Sequence, residues 1–182
     1  MTISRGVVCT FVILALAGAG AVDAQQAPQP GPEHAILAQD AGTWDATVEM
    51  TMAPGQPPTV SKGVETASML GGMWLVTDFK SEMMGQAFTG RGALGYDPVK
   101  KKYVGSWVDS MSAAINLNES SYDPATKTMT GWTEGPDMTG EVVKMRETTE
   151  WKDADTRVFT IWSTGPDGKE FPGLKITYKR RK

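Results

Sequence analysis

Cysteine is nearly absent from this chain, with Cys9 the single instance in 182 residues, and histidine is as scarce, with His34 alone. Charge of either sign is not in excess: 18 basic and 21 acidic residues leave a net charge of −3. Nor is there an uncharged apolar run of the ~20 residues that a membrane-spanning helix needs. Each lack closes a class of function. A lone cysteine supports no disulfide framework and no thiolate metal site. A lone histidine leaves one choice of imidazole base, and His34 opens a helical segment where a solvated side chain is expected. Balanced charge favours neither nucleic acid nor an anionic membrane.

The first residues read as an export signal. Arg5 precedes an uncharged, mostly apolar stretch from Gly6 to Val22, and Val22-Asp23-Ala24 places small residues at −3 and −1 of a cleavage site. Residues 1–24 are therefore expected to be a signal peptide, cleaved near Ala24, and the protein periplasmic or secreted. Cys9 lies near the start of the apolar stretch, whereas a lipidated cysteine follows it, so no stable membrane anchor is expected. Cleavage also removes the only thiol, which leaves hydrophobic packing to hold the domain. Residues 25–32 (QQAPQPGP) form a Pro/Gln-rich linker, and 33–182 a single domain.

Pro32 suits a first helical turn, and a helix of about two turns is predicted over Glu33–Ala41, ended by Gly42. From Thr43 the hydrophobic period becomes two: Trp44, Ala46, Val48, Met50 and Met52 alternate with polar residues. Further strands are predicted at 63–69, 73–82, 87–95, 102–109, 114–122, 128–134, 141–151, 156–163 and 173–179. Ten strands without a long helix indicate an all-β antiparallel meander, closed as a barrel or folded as a sandwich. Two echoes run through it. Tyr96-Asp97-Pro98 with Lys101 recurs as Tyr122-Asp123-Pro124 with Lys127, and Trp132 to Asp137 recurs as Trp162 to Asp167. The shared residues are those that tight turns demand, so repeated hairpin chemistry explains them better than duplication.

The order helix, Gly42-x-Trp44, strand resembles the opening of lipocalin-type barrels. That resemblance implies a single up-and-down barrel of about ten strands with a short N-terminal helix closing one end. It also implies a basic residue from the chain's end, here within Lys179–Lys182, covering the tryptophan. A more specific resemblance is to the DUF1579 family. It runs from about His34 to the C-terminus and is carried by Gly42-Thr43-Trp44, by Gly92 to Asp97 (GALGYD) and by Tyr103 to Met111 (YVGSWVDSM). It implies a compact β-barrel and supplies no catalytic residues. Haem-binding barrels of similar form use a histidine near the chain's end; here Thr177-Tyr178-Lys179 stands there, and no cofactor is expected.

The residues themselves offer little catalysis. Glu147 and Glu150, three apart on a strand, face opposite sides. Asp153 and Asp155, with Lys152 and Arg157, fall in a predicted hairpin loop with too few oxygen ligands for calcium, and no metal site is expected. Gly85, Gly90, Gly92 and Gly95 precede no helix and no Lys-Ser/Thr, so they mark barrel curvature rather than a phosphate loop. The stronger signal is the content of methionine and tryptophan, eleven and six residues, which suits either a plain core or a cavity for apolar ligands. Trp44, Met50, Phe79, Trp107, Asp109, Glu119, Met145 and Glu147 are the predicted interior-lining, ligand-binding residues. Thr77 is another mid-strand polar candidate, with Arg91 or Arg146 as partners for a buried carboxylate. Three readings follow: a binder of a small, largely apolar molecule; an interaction module with a filled core; an enzyme built on Asp109, Ser110 or Glu147. The basic tail reads as solvated, and oligomeric state is undetermined by sequence.

Overall fold

The computed structural model describes residues 29–136 and 140–182; the expected signal peptide and residues 25–28 of the linker lie outside them. Helix α1 spans Pro32–Ala38. It is three residues shorter at its end than predicted, because Gln39 and Asp40 already form the exit turn. Gly42 does not cap the helix but opens the first strand at φ +133, where a side chain would also meet the Arg180 guanidinium at 2.9 Å.

Ten strands follow: β1 (Gly42–Met50), β2 (Thr59–Leu70), β3 (Trp74–Met83), β4 (Gln86–Asp97), β5 (Lys102–Asp109), β6 (Asn116–Asp123), β7 (Thr128–Pro136), β8 (Val142–Asp153), β9 (Thr156–Thr164) and β10 (Glu170–Arg180). Each pairs antiparallel with its sequence neighbours, and β1 pairs with β10 from Trp44–Arg180 to Met50–Leu174, which closes the barrel. The barrel alternative to a sandwich is thus the one adopted. β10 starts three residues earlier than predicted, because a bulge between Pro172 and Leu174 lets its first part continue the pairing with β9.

The first echo is turn chemistry seen twice at one end of the barrel. Asp97 Oδ1 accepts the amides of Val99 and Lys100 at 2.8 and 3.0 Å, and Asp123 Oδ1 accepts that of Ala125 at 2.9 Å. Lys101 and Lys127 then close the two turns at φ +54 and +51. The second echo lies partly in 137–139, outside the described residues.

Register fixes the faces. Trp44, Ala46 and Val48 point inward and pack with Phe79, Phe88, Ile176 and Tyr178. Nearer α1, Leu37 joins Ala67, Leu75, Tyr103, Met129 and Trp151. Leu37 is 1% exposed. The helix thereby closes one end, and the loops β1–β2, β3–β4, β5–β6, β7–β8 and β9–β10 surround the other.

Candidate functional site

At the closed end, buried charge is organised around Arg157. Its Nη1 lies 3.3 Å from Asp40 Oδ2, and its Nη2 binds Glu65 Oε1. The guanidinium lies over Tyr178 at 4.0 Å and Trp44 at 5.0 Å, while Arg180 covers Trp44 at 4.1 Å. The expected basic cover on Trp44 is therefore present in Arg180. Asp40 ties the ring together: its carbonyl accepts Trp44 Nε1 at 2.8 Å and its Oδ1 accepts Trp151 Nε1 at 2.7 Å. Burial pushes both the Asp40 and Glu65 carboxyls above the usual range, and the single guanidinium offsets only part of that. This cluster is occupied by its own partners and reads as a structural lock.

The interior changes character toward the open end. Inward-facing Met50, Met83, Trp107, Met145, Phe159, Ile161 and Leu174 are all partly exposed, although register places them inside the barrel. Along one wall the inward residues are small or polar: Gly105 on β5; Asn116, Asn118 and Ser120 on β6; Gly131, Thr133 and Gly135 on β7. Asn116 Oδ1 and Asn118 Oδ1 lie over Gly135 and Gly105, where any Cβ would collide with them, and neither oxygen has a hydrogen-bond donor among the described residues.

Glu147 closes this wall from β8. It is 8% exposed. Its Oε1 accepts Asn118 Nδ2 at 2.8 Å and Ser120 Oγ at 3.2 Å. No cation pairs with it among the described residues, and burial raises its carboxyl's pKa, with those two hydrogen bonds lowering it only in part. Nearer the mouth, Asp109 accepts Trp107 Nε1 at 3.1 Å and the Met111 amide at 2.9 Å.

Of the residues singled out from sequence, Trp44, Met50, Thr77, Phe79, Trp107, Asp109, Met145 and Glu147 lie on the inward face. Trp44 and Phe79 belong to the packed core, and Trp107 packs against it with its ring 6.4 Å from that of Phe79, whereas Met145 and Glu147 lie on β8 toward the open end. Glu119 faces outward: its side chain is 54% exposed and paired with Lys100. Arg91 and Arg146 are also outside, bound to Asp78 and Glu170, so neither serves a buried carboxylate. That role falls to Arg157, the second residue of β9, within the strand predicted at 156–163. His34 is not solvated. It is 7% exposed, its Nδ1 accepts the Gly31 amide at 2.9 Å, and it meets Tyr96 edge-on. No set of three metal-ligating side chains occurs among the described residues.

Two clefts lie outside the bore. One of 360 Å³ runs between α1 and the two Asp-Pro turns, lined by Tyr96, Lys101, Tyr103, Tyr122 and Pro124. The Tyr103 hydroxyl there donates to Glu33 O at 3.1 Å, and burial pushes it up to about 12. The other, of 580 Å³, is on the outer wall of β1–β3 beside Lys62, Lys80 and Lys179. Around the open end, Met52, Met84, Val108, Met111, Ile115 and Val142 are exposed.

Comparison with known proteins agrees with this architecture. No curated protein matches the chain. The crystal structure of Rv2717c from M. tuberculosis superposes with a TM-score of 0.62 at 12% identity, covering 85% of this chain and all of that one, which is a likeness of fold. A redesigned β-barrel aligns with a TM-score of only 0.40, at 13% identity over 82% of this chain and 95% of that one, too distant to carry weight. The model of a family described as a protein of unknown function matches residues 29–180. The chain accordingly belongs to that family, DUF1579.

Proposed function

We propose that this barrel is an exported binding protein that holds a small, largely apolar molecule in the open half of its interior. The observation that carries the reading is the pattern on β6. Its inward positions beyond Tyr122, toward the open end, are Asn116, Asn118 and Ser120, while Leu117 is outside and 57% exposed. A strand that merely filled a core would place leucine inside and asparagine outside. Polar groups at these positions orient a ligand, while Trp107, Met145 and Ile161 supply apolar surface. The exposed apolar rim suits entry of such a molecule from the end opposite α1.

Titration with N-phenyl-1-naphthylamine, a neutral apolar fluorophore, tests the reading. Saturable enhancement, lost when Met145→Arg places a charge in the bore, is expected; no enhancement with the folded protein rejects it. Native mass spectrometry of protein purified from its source would then identify a retained ligand by mass. Export is tested on the same material, whose N-terminus should begin near Gln25.

The rim also favours a second reading, a module docking a partner protein at the open end. Under it, Met84→Asp and Ile115→Asp would abolish capture of that partner while fluorophore binding is absent from the outset.

A further inference from the structure

We infer that the molecule held in the open half carries a positively charged head, an alkylammonium or similar cation, set against Glu147. The inference rests on the binding reading above and specifies its chemistry. Inward-facing charge is divided unevenly along the barrel. Both inward-facing guanidiniums, Arg157 and Arg180, lie at the α1 end, where Arg157 is engaged by Asp40 and Glu65 and Arg180 binds the carbonyls of Gln39 and Ala41. Toward the mouth the inward charges are the carboxylates of Glu147 and Asp109, with no cation on that half of the inward face among the described residues.

Asp109 has both oxygens hydrogen-bonded. Glu147 has only one: both of its donors reach Oε1, and Oε2 has none among the described residues. A carboxylate buried to this degree requires a counter-charge or a proton. The sequence supplies neither Arg91 nor Arg146 for the purpose, since both are outside. Burial raises the Glu147 carboxyl's pKa, and a cation set against it would favour the ionised form. An ammonium donates three hydrogen bonds, and its carbon chain would lie along Met145 and Ile161, the inward neighbours of Glu147 on β8 and β9.

The test uses the full chain and a set of probes that share one body: 4-phenylbutylammonium, 4-phenylbutanol and 4-phenylbutyrate. Each competes with N-phenyl-1-naphthylamine at neutral pH. The ammonium should displace the fluorophore at a concentration about tenfold below that of the alcohol, with the carboxylate weakest. Glu147→Gln, which keeps size and hydrogen-bonding capacity, should bring ammonium and alcohol to within about twofold, with cooperative urea unfolding showing that the variant is folded. Equal binding of all three probes, a preference for the carboxylate, or an ammonium preference that survives in Glu147→Gln overturns the inference and leaves the apolar site standing. Absence of fluorophore binding in the unaltered protein instead removes the underlying reading, and the inference with it.

Discussion

Arg157 is the residue on which the closed end depends, because ion pairs and cation–π contacts meet on it. Replacing it with methionine would keep much of its apolar bulk, yet leave Asp40 and Glu65 buried without their cation and strip the guanidinium from Trp44 and Tyr178. Removing one partner of such a cluster costs about 3–5 kcal/mol; urea unfolding at neutral pH should show a loss of that size for Arg157→Met. Glu147 gives the opposite sign. Its carboxyl titrates higher in the folded state than its ordinary 4.5, so the native state holds the proton longer than the unfolded chain. The stability it contributes is full below that ordinary value and fades as pH rises through the folded value. Glu147→Gln removes the fading, so the variant should gain on the parent in thermal stability as pH rises above the ordinary 4.5, and the two should converge at the acid end. A parent whose stability instead rises over that interval relative to the variant would show the carboxylate to be compensated. His34 was legible in principle: with Leu37 it falls at i and i+3 on one helical stripe, which turns inward. Reading the lone histidine as solvated gave its polarity more weight than its spacing.

At the scale of elements, strands and turns were readable because they rest on local chemistry. Ten alternating segments, the Asp-Pro turns and Gly42-x-Trp44 place the ladder to within a few residues. Facing was less readable, and β6 shows why. Asn116, Asn118 and Ser120 face inward and Leu117 outward, so an alternation rule that assumes an apolar interior inverts the strand and carries Glu119 inside with it. Arg157 was missed for a related reason, as the polar run Lys152 to Asp155 reads as loop and the residues after it share its polarity. Helix α1 illustrates how an element too weak alone is held by the whole. Seven residues without a side-chain N-cap are not a stable helix in water, so its order comes from docking Leu37 against Leu75, Tyr103 and Trp151. Leu37→Ala should cost about 2–5 kcal/mol, measured by urea unfolding. It should also leave the short helix exposed to limited proteolysis near residues 32–38, whereas truncating exposed Ala38 to glycine should change either reading little.

For the molecule as a whole, closure removes every sheet edge, yet the ring of ladders is uneven. The β3–β4 register runs from Trp74–Gly95 to Met83–Gln86, while that of β5–β6 extends only from Tyr103–Ser120 to Trp107–Asn116. The short ladder also borders the wall of Gly105, Asn116 and Asn118, where fewer apolar side chains cross the bore to reinforce it. Local opening is easiest where few buried apolar contacts and few backbone bonds must break together. Amides within Asn116–Ser120 should therefore exchange with solvent at least about tenfold faster than those of β3 and β4, by native-state hydrogen exchange. The β1–β10 seam, strapped by Arg181 to Asp45 and by the Arg180 guanidinium to Ala41 O, should exchange no faster than its neighbours despite joining the two ends of the sheet. A ligand seated against Glu147 bridges the weak ladder to β8, since Asn118 and Ser120 of β6 already hold that carboxyl. Saturating the protein with the ammonium probe should thus slow exchange at Asn116–Ser120 selectively. Uniform slowing around the whole barrel would point to general stabilisation of the fold, and unchanged β6 amides to a probe bound elsewhere.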